Sequence, residues 1–348
     1  MRYNLMGRTS IKVSELCLGT MTFGTQTNEA EGHAQMDCAI DNGINFVDTA
    51  EMYPVNPIRT ETIGRTEEIL GSWNVKNRAR REEYILATKH TGEGSQHLRN
   101  GEPISSKTIA ETIEGNLRRL KTDYIDLYQF HWPNRGSYMF RKNWDYNPKP
   151  LTSASIRADM LDCLYALQTQ VDKGNIRYFG LSNESAWGTS QWLRLSEDKD
   201  LPRVVTIQNE YSILCRLYDT DLAELSIIED VGLIAFSPLA AGLLTGKYQN
   251  GVIPGGSRKS ISSDLGGRAT ARVWPAVDTY LKIAAKHSLD PIHMSLAWCS
   301  SRPFVCSSIF GATNLSQLQH ILKMQDIKLS NECLHDITEA HRAHPMPF

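Results

Sequence analysis

Four side chains of different acidity stand at the ends of short apolar runs or in the turn just after one. Asp48 closes Ile44-Asn45-Phe46-Val47, Tyr53 lies in the turn that follows, Lys89 comes after Tyr84-Ile85-Leu86-Ala87, and His131 ends the run from Tyr124 to Phe130. If the runs are β-strands, the four converge at one end of a parallel sheet, where strands aim them better than loops would. A phenol with an ordinary pKa near 10 is a poor acid at neutral pH, but an ammonium about 4 Å away at an effective dielectric near 20 interacts by ~4 kcal/mol, roughly three pKa units. Lys89 is therefore expected to bring Tyr53 toward working pH. Asp48 would keep the lysine charged and directed, and a His131 ring nitrogen would orient a carbonyl oxygen beside the phenol. Hydride to carbon and proton to oxygen would then turn a carbonyl into an alcohol. Singly, each residue has a plainer reading as a helix cap, a packing ring, a solvated charge or a core histidine. Their conjunction points to chemistry.

Eight apolar runs, near 15–19, 44–48, 84–88, 124–130, 177–181, 204–208, 232–236 and 305–310, have amphipathic helical stretches between most of them. Strand then helix, repeated, predicts a parallel sheet. Two intervals are too long for a simple loop and helix: the one after His131 to about 153, and the one after Leu239 to about 270. Eight such units with long loops after the fourth and seventh strands predict a single (β/α)8 barrel domain over 1–348, with a C-terminal extension and its site at the C-terminal strand ends. Gly43, Gly174 and Gly232 each follow a helical stretch and suit left-handed caps. Asn28, three residues before Glu31, has capping-box spacing, and Asp290 precedes Pro291 as a cap before a first-turn proline.

Composition narrows the function classes. A net charge of −2 and a pI near 6.6 give no general pull toward nucleic acid or anionic lipid. The densest basic stretch, Lys76 to Arg81, runs into Glu82 and Glu83 and reads as a solvated helix end. The seven cysteines are odd in number and form no Cys-x-x-Cys pair, so neither a disulfide framework nor a zinc site is expected. The N-terminus lacks a basic-then-apolar leader, and no stretch approaches the ~20 apolar residues of a membrane span, so a cytoplasmic protein is expected. Gly92-Glu93-Gly94-Ser95-Gln96-His97 lacks the third glycine of a dinucleotide fingerprint, and Gly242 to Tyr248 is one residue short of a P-loop. Gly180 to Glu184 ends in Glu where a nucleophile elbow needs Gly.

Taken together, Phe46-Val47-Asp48-Thr49-Ala50-Glu51-Met52-Tyr53, Thr88-Lys89, Asp126 to Pro133 and Ile176 to Asn183 resemble the aldo-keto reductase superfamily, nearly end to end. Within it the chain looks like the bacterial Tas-like oxidoreductases. The resemblance implies NADPH as hydride donor, no metal, a small carbonyl substrate, and the tetrad Asp48, Tyr53, Lys89, His131 with Tyr53 as general acid. It also implies that Ser182, Asn183 and Gln208 hold the nicotinamide carboxamide, that Tyr211 stacks on the ring, and that Gly19, Thr20 and Met21 lie beneath it. Ser237, Leu239, Gly242, Leu244 and Lys247 would belong to a loop closing over the pyrophosphate, where small residues admit backbone N–H groups to phosphate oxygens. Arg258 and Lys247 fit anion partners there, while Gly311, Thr313 and Gln317, opening a helix after the last strand, would meet the adenosine 2′-phosphate. Where the family carries an adjacent Glu-Asn pair for adenine, this chain has His320 and Ile321. The superfamily also contains potassium-channel β subunits, so a nicotinamide-sensing subunit with little turnover is the alternative. In the loop from Asn134 to Pro150, Tyr138, Phe140, Trp144 and Tyr146 could wall an apolar substrate pocket or pack on one another.

Overall fold

The computed structural model describes residues 1–348. Two three-residue strands, β1 (Tyr3–Leu5) and β2 (Lys12–Ser14), pair antiparallel with Tyr3 opposite Ser14. Eight parallel strands follow: β3 (Leu16–Gly19), β4 (Phe46–Asp48), β5 (Ile85–His90), β6 (Ile125–Phe130), β7 (Ile176–Ser182), β8 (Val204–Glu210), β9 (Gly232–Phe236) and β10 (Val305–Phe310). They form a closed barrel in chain order, and β10 returns to pair with β3, Ser308 opposite Leu16. The fold is a (β/α)8 barrel. Helices α1 (Glu29–Asp41), α2 (Arg65–Lys76), α3 (Ser106–Leu120), α4 (Ser153–Asp172), α5 (Ala186–Lys199) and α6 (Leu222–Ile228) alternate with the strands. The one-turn α7 (Arg258–Ile261), then α8 (Val273–Lys286) and α9 (Pro291–Ser300), lie between β9 and β10, and α10 (Leu315–Leu322) and α11 (Asn331–Ala343) complete the chain. The long loops fall after β6 and β9, as the spacing predicts.

Period-two alternation sorts the strand residues. Cys17, Phe46, Ala87, Leu127, Val205 and Ile234 join Met6 and Val13 of the hairpin in a small apolar cluster inside the barrel. Their neighbours, such as Leu16, Leu18, Val47, Leu86 and Tyr128, belong to the larger cluster between barrel and helices. Each large apolar side chain buried this way contributes ≈ 1.5–3 kcal/mol. Two residues beyond the inward apolar layer the same face carries Asp48, Lys89 and Gln129, so the strands that build the core also present a polar layer above it.

Local signals set the boundaries. Asn28 accepts from Glu31 N at 2.9 Å and Asp290 from Ile292 N at 2.8 Å, each opening its helix. Gly43 and Gly174 take φ of 85° and 74°. Gly232 does not: Asp230, at φ 50°, makes that turn, and Gly232 begins β9 where a Cβ would meet Cys306 Cβ at 2.8 Å. It is there for close strand packing. The basic stretch also departs from expectation, because Arg81 turns inward, 8 % exposed, and binds Asp126 at 2.8 Å as well as the Tyr84 and Tyr124 carbonyls. A guanidinium so buried needs those partners, and it ties the start of β6 to the end of α2's connection. The hairpin was not foreseen, its strands being too short to show a period.

Candidate active site

At the C-terminal end of the barrel the polar layer converges on one ion pair. Lys89 Nζ, fully buried, donates to Asp48 Oδ2 at 2.6 Å and to the Thr49 carbonyl at 2.7 Å, and lies 3.5 Å from the Tyr53 hydroxyl. Gln208 and Gln129 donate to the other Asp48 oxygen at 2.8 and 3.3 Å, so both carboxylate oxygens are engaged. Burial alone would lower the Lys89 pKa, but Asp48 and then Tyr53 reverse the sign and hold it above its ordinary value. Tyr53 meets His131 edge to face, ring centroids 5.8 Å apart. Burial first, and Lys89 second, keep the His131 imidazole well below its usual pKa and so neutral. The expectation for Tyr53 needs correcting: burial raises its pKa above 10.0, and Lys89 only partly opposes this. The phenol is therefore a protonated donor throughout the neutral range.

A second set of buried charges stiffens the strand ends. Glu51 accepts from Thr91 N at 2.6 Å and from both terminal nitrogens of Arg99 at 2.7 Å, with His90 alongside, pushed down to about 4 chiefly by burial. Glu67 on α2 accepts from Thr88 at 2.6 Å and Arg119 at 2.7 Å. Residues on either side of Lys89 are thus fixed by hydrogen bonds, which orient the lysine between them.

Above the pair lies a cleft of ≈ 1500 Å³, which Asp48 lines and from which the buried Lys89 is withdrawn behind Tyr53. Asp48, Tyr53 and His131 line it, with Gly19, Thr20 and Met21 from the end of β3. Ser182, Asn183 and Gln208 line one wall, and the β9 loop supplies Ser237, Leu239, Gly242, Lys247 and Arg258. Gly311, Thr313 and Gln317 are at the α10 end, where Gln317 Oε1 accepts from Thr313 N at 3.0 Å, and His320 and Ile321 line the cleft beside them. Two expected residues are elsewhere. Tyr211 is fully buried, stacked on Trp298 at 5.3 Å with its hydroxyl on Asp219 at 2.6 Å, because the chain leaves β8 at Glu210 and the ring turns into the helical layer. Leu244 is 1 % exposed and packs in the core, its 3-10 turn carrying it away from the cleft. Phe236, at the end of β9, is an aromatic ring that does line the cleft, and the sequence reading missed it. It stands two residues after the inward Ile234, and that alternation could have found it.

Several features of the cleft suit an anionic dinucleotide. Lys247 and Arg258 line it without any carboxylate within salt-bridge distance; Arg258 touches only Met21 Sδ at 3.9 Å. Arg141 and Arg268 share the single carboxylate of Glu210 at 2.6 and 2.7 Å, joining the two long loops. The region therefore carries excess positive charge. His131 Nδ1 and Asn183 Oδ1 are buried without partners, although buried polar atoms normally find one. Asn183, at φ 54°, donates to the His131 carbonyl at 2.8 Å, which leaves that oxygen free for a ligand.

Comparison with known proteins agrees with this geometry. Residues 15–342 match the family model described as "Aldo/keto reductase family". The chain is 42 % identical over its whole length to "Protein tas" of Escherichia coli K12, covering 99 % of that protein. It is 32 % identical to "Uncharacterized oxidoreductase YrpG" of Bacillus subtilis, over 96 % of this chain and 94 % of that one. It is 31 % identical to a "Probable voltage-gated potassium channel subunit beta" of Arabidopsis thaliana, over 94 % of this chain and 92 % of that one. On the barrel, the converging strand-end residues and these matches together, the chain belongs to the aldo/keto reductase family.

Proposed function

We propose that the protein is an NADPH-dependent oxidoreductase that reduces an aldehyde or ketone to an alcohol, with Tyr53 as general acid assisted by Lys89, Asp48 and His131. The Asp48–Lys89 pair behind a cleft-facing phenol supports this most directly. When bound, NADPH supplies the hydride. As charge develops on the substrate oxygen, Tyr53 gives up its proton, and the Lys89 ammonium offsets the cost of a buried phenolate. Neutral His131 donates one ring N–H to the same oxygen without competing as the acid. Ser182, Asn183 and Gln208 would hold the nicotinamide carboxamide, and Phe236 takes the stacking place first given to Tyr211. Lys247 and Arg258 would meet the pyrophosphate, with Ser237, Leu239 and Gly242 in the covering loop. Thr313 and Gln317 would meet the 2′-phosphate. All seven cysteines are unpaired, and no helix is long and apolar enough to cross a membrane.

A panel of aldehydes and ketones followed by NADPH absorbance, with NADH in parallel, tests the proposal. Repeated turnovers per site with at least one carbonyl are expected. The similarity to channel β subunits favours one other reading, a nicotinamide sensor; a single slow oxidation of bound cofactor across the whole panel would select it. Arg258 lies beside Met21 and near Tyr53, whose burial-raised pKa it opposes only slightly, whereas Gln317 is at the far end with Thr313. Arg258→Ala is accordingly expected to weaken NADPH and NADH alike, and Gln317→Ala to weaken NADPH roughly tenfold more than NADH, one hydrogen bond to a charged group being worth about that. Titration of each variant with both dinucleotides checks it; equal losses on Gln317→Ala would remove that residue from the 2′-phosphate.

A further inference from the structure

Outside the barrel wall, between β6 and β7 and the helices α4 and α5, the structure holds a second cavity of ≈ 320 Å³. That volume is at the lower end of the range small-molecule sites occupy, ≈ 300–1,000 Å³. Its apolar side is made by Phe130 and Leu181 from the strand ends, Met160 and Cys163 from α4, and Trp192 from α5. Trp192 is 6 % exposed, wedged against Phe130 and Phe179 with ring centroids at 5.7 and 5.6 Å. Its indole N–H is buried and has no acceptor. Leaving such a donor unpaired costs ≈ 1–3 kcal/mol, so an occupant that accepts from it is favoured. The other polar groups of the cavity are already committed. Asn134 bonds the Ile104 carbonyl at 2.8 Å and Asp159 at 3.0 Å, Arg135 pairs with Glu184, and Lys149 reaches Glu93 at 3.1 Å. Three carboxylates against two cations disfavour an anion; the carboxylate without a cation partner is Asp159, which is solvent-exposed and so does not require a cation.

We propose that this cavity binds a small, neutral, flat aromatic molecule whose carbonyl-type oxygen accepts the Trp192 N–H. The site is distinct from the catalytic cleft and takes no part in hydride transfer. It does share Trp132 and Ser182 with the cleft. Trp132 is held on both sides, donating to the Glu93 carbonyl at 2.9 Å and covering Gly92, where a Cβ would lie 2.4 Å from its ring. An occupant therefore touches the indole that follows His131, with ring centroids 5.1 Å apart.

Coumarin and naphthalene separate shape from hydrogen bonding, since the two have nearly the same outline and only coumarin carries a carbonyl. Calorimetric titration of the full chain, saturated with NADP+ so that the dinucleotide part of the cleft is filled, is expected to show a saturable site, removed by filling the second cavity, at which coumarin is bound more tightly. Trp192→Phe should weaken coumarin by about tenfold more than naphthalene, the loss of one buried hydrogen bond. Ile156→Trp, which places a large ring in the cavity from α4, should abolish both while leaving NADP+ affinity unchanged. If that variant melts before assay, Ser155→Trp at the rim serves the same purpose. No saturable coumarin binding by the unmodified chain, or binding that neither the Trp192 nor the filling variant alters, would overturn the assignment.

Discussion

Tyr53→Phe is expected to lower kcat for carbonyl reduction by about 10²–10⁴-fold, the usual contribution of a positioned general acid, while dinucleotide affinity stays within about twofold. The substitution deletes one oxygen and little else. Phenylalanine keeps the edge contact to His131 at 5.8 Å and the position of the ring under the Lys89 ammonium, 4.8 Å from its centroid. Lys89 retains Asp48 and the Thr49 carbonyl, so the ion pair stays satisfied and the fold has no reason to loosen. The pH profile sharpens the test. Because burial raises the phenol pKa above its ordinary value, Tyr53 carries its proton at every pH from about 6 to 9, and reduction should not fall across that window through its ionisation. His131, held well below its usual value by burial and Lys89, should add no acid limb near neutrality. Oxidation of the alcohol, which needs the proton to return to a phenolate, should rise with pH. Steady-state kcat and KM measured in both directions, with fluorescence titration of the cofactor, check all of this. Full turnover by the variant would remove Tyr53 as the acid.

Much of this arrangement is legible in the chain, and the failures have identifiable physical causes. Asp48, Lys89 and His131 could be placed because each closes an apolar run, and a parallel strand in a barrel carries its terminal side chain to the catalytic mouth. The loops proposed to hold a cofactor, after β3, β7, β9 and β10, were implied by the family resemblance, and residues of all four line the cleft at that end of the barrel. Tyr211 was assigned by the family resemblance, and nothing local in the sequence marks that the chain leaves the strand at Glu210 and the Tyr211 ring drops onto Trp298. Phe236 obeys the alternation and was readable. Arg81 was not, since its carboxylate is 45 positions away in Asp126 and a charge next to other charges looks solvated. The sign of the Tyr53 shift was also beyond a sequence reading: the attraction of Lys89 can be guessed from types and spacing, but the opposing desolvation depends on how completely the closed barrel buries the phenol. The Trp192 cavity is likewise tertiary, arising where α4 and α5 fail to fill the space outside β6 and β7.

Lys89→Met should be damaging in two separable ways. Removing the ammonium takes away about 4 kcal/mol of attraction for a phenolate at ~4 Å and effective dielectric near 20, so turnover is expected to fall by about 10³-fold. It also leaves Asp48, 3 % exposed, as a buried carboxylate held only by Gln208 and Gln129. Breaking a buried pair by deleting one partner costs roughly 3–5 kcal/mol, because the remaining charge is uncompensated. Denaturant unfolding of the variant beside the unmodified chain reads that cost. The double substitution Asp48→Asn, Lys89→Met removes both charges and preserves their volume. It should recover most of the stability lost by the single variant and none of the turnover. A double variant as unstable as the single one would mean that packing, not charge, links these two strands, and undiminished turnover in either would detach the lysine from the chemistry.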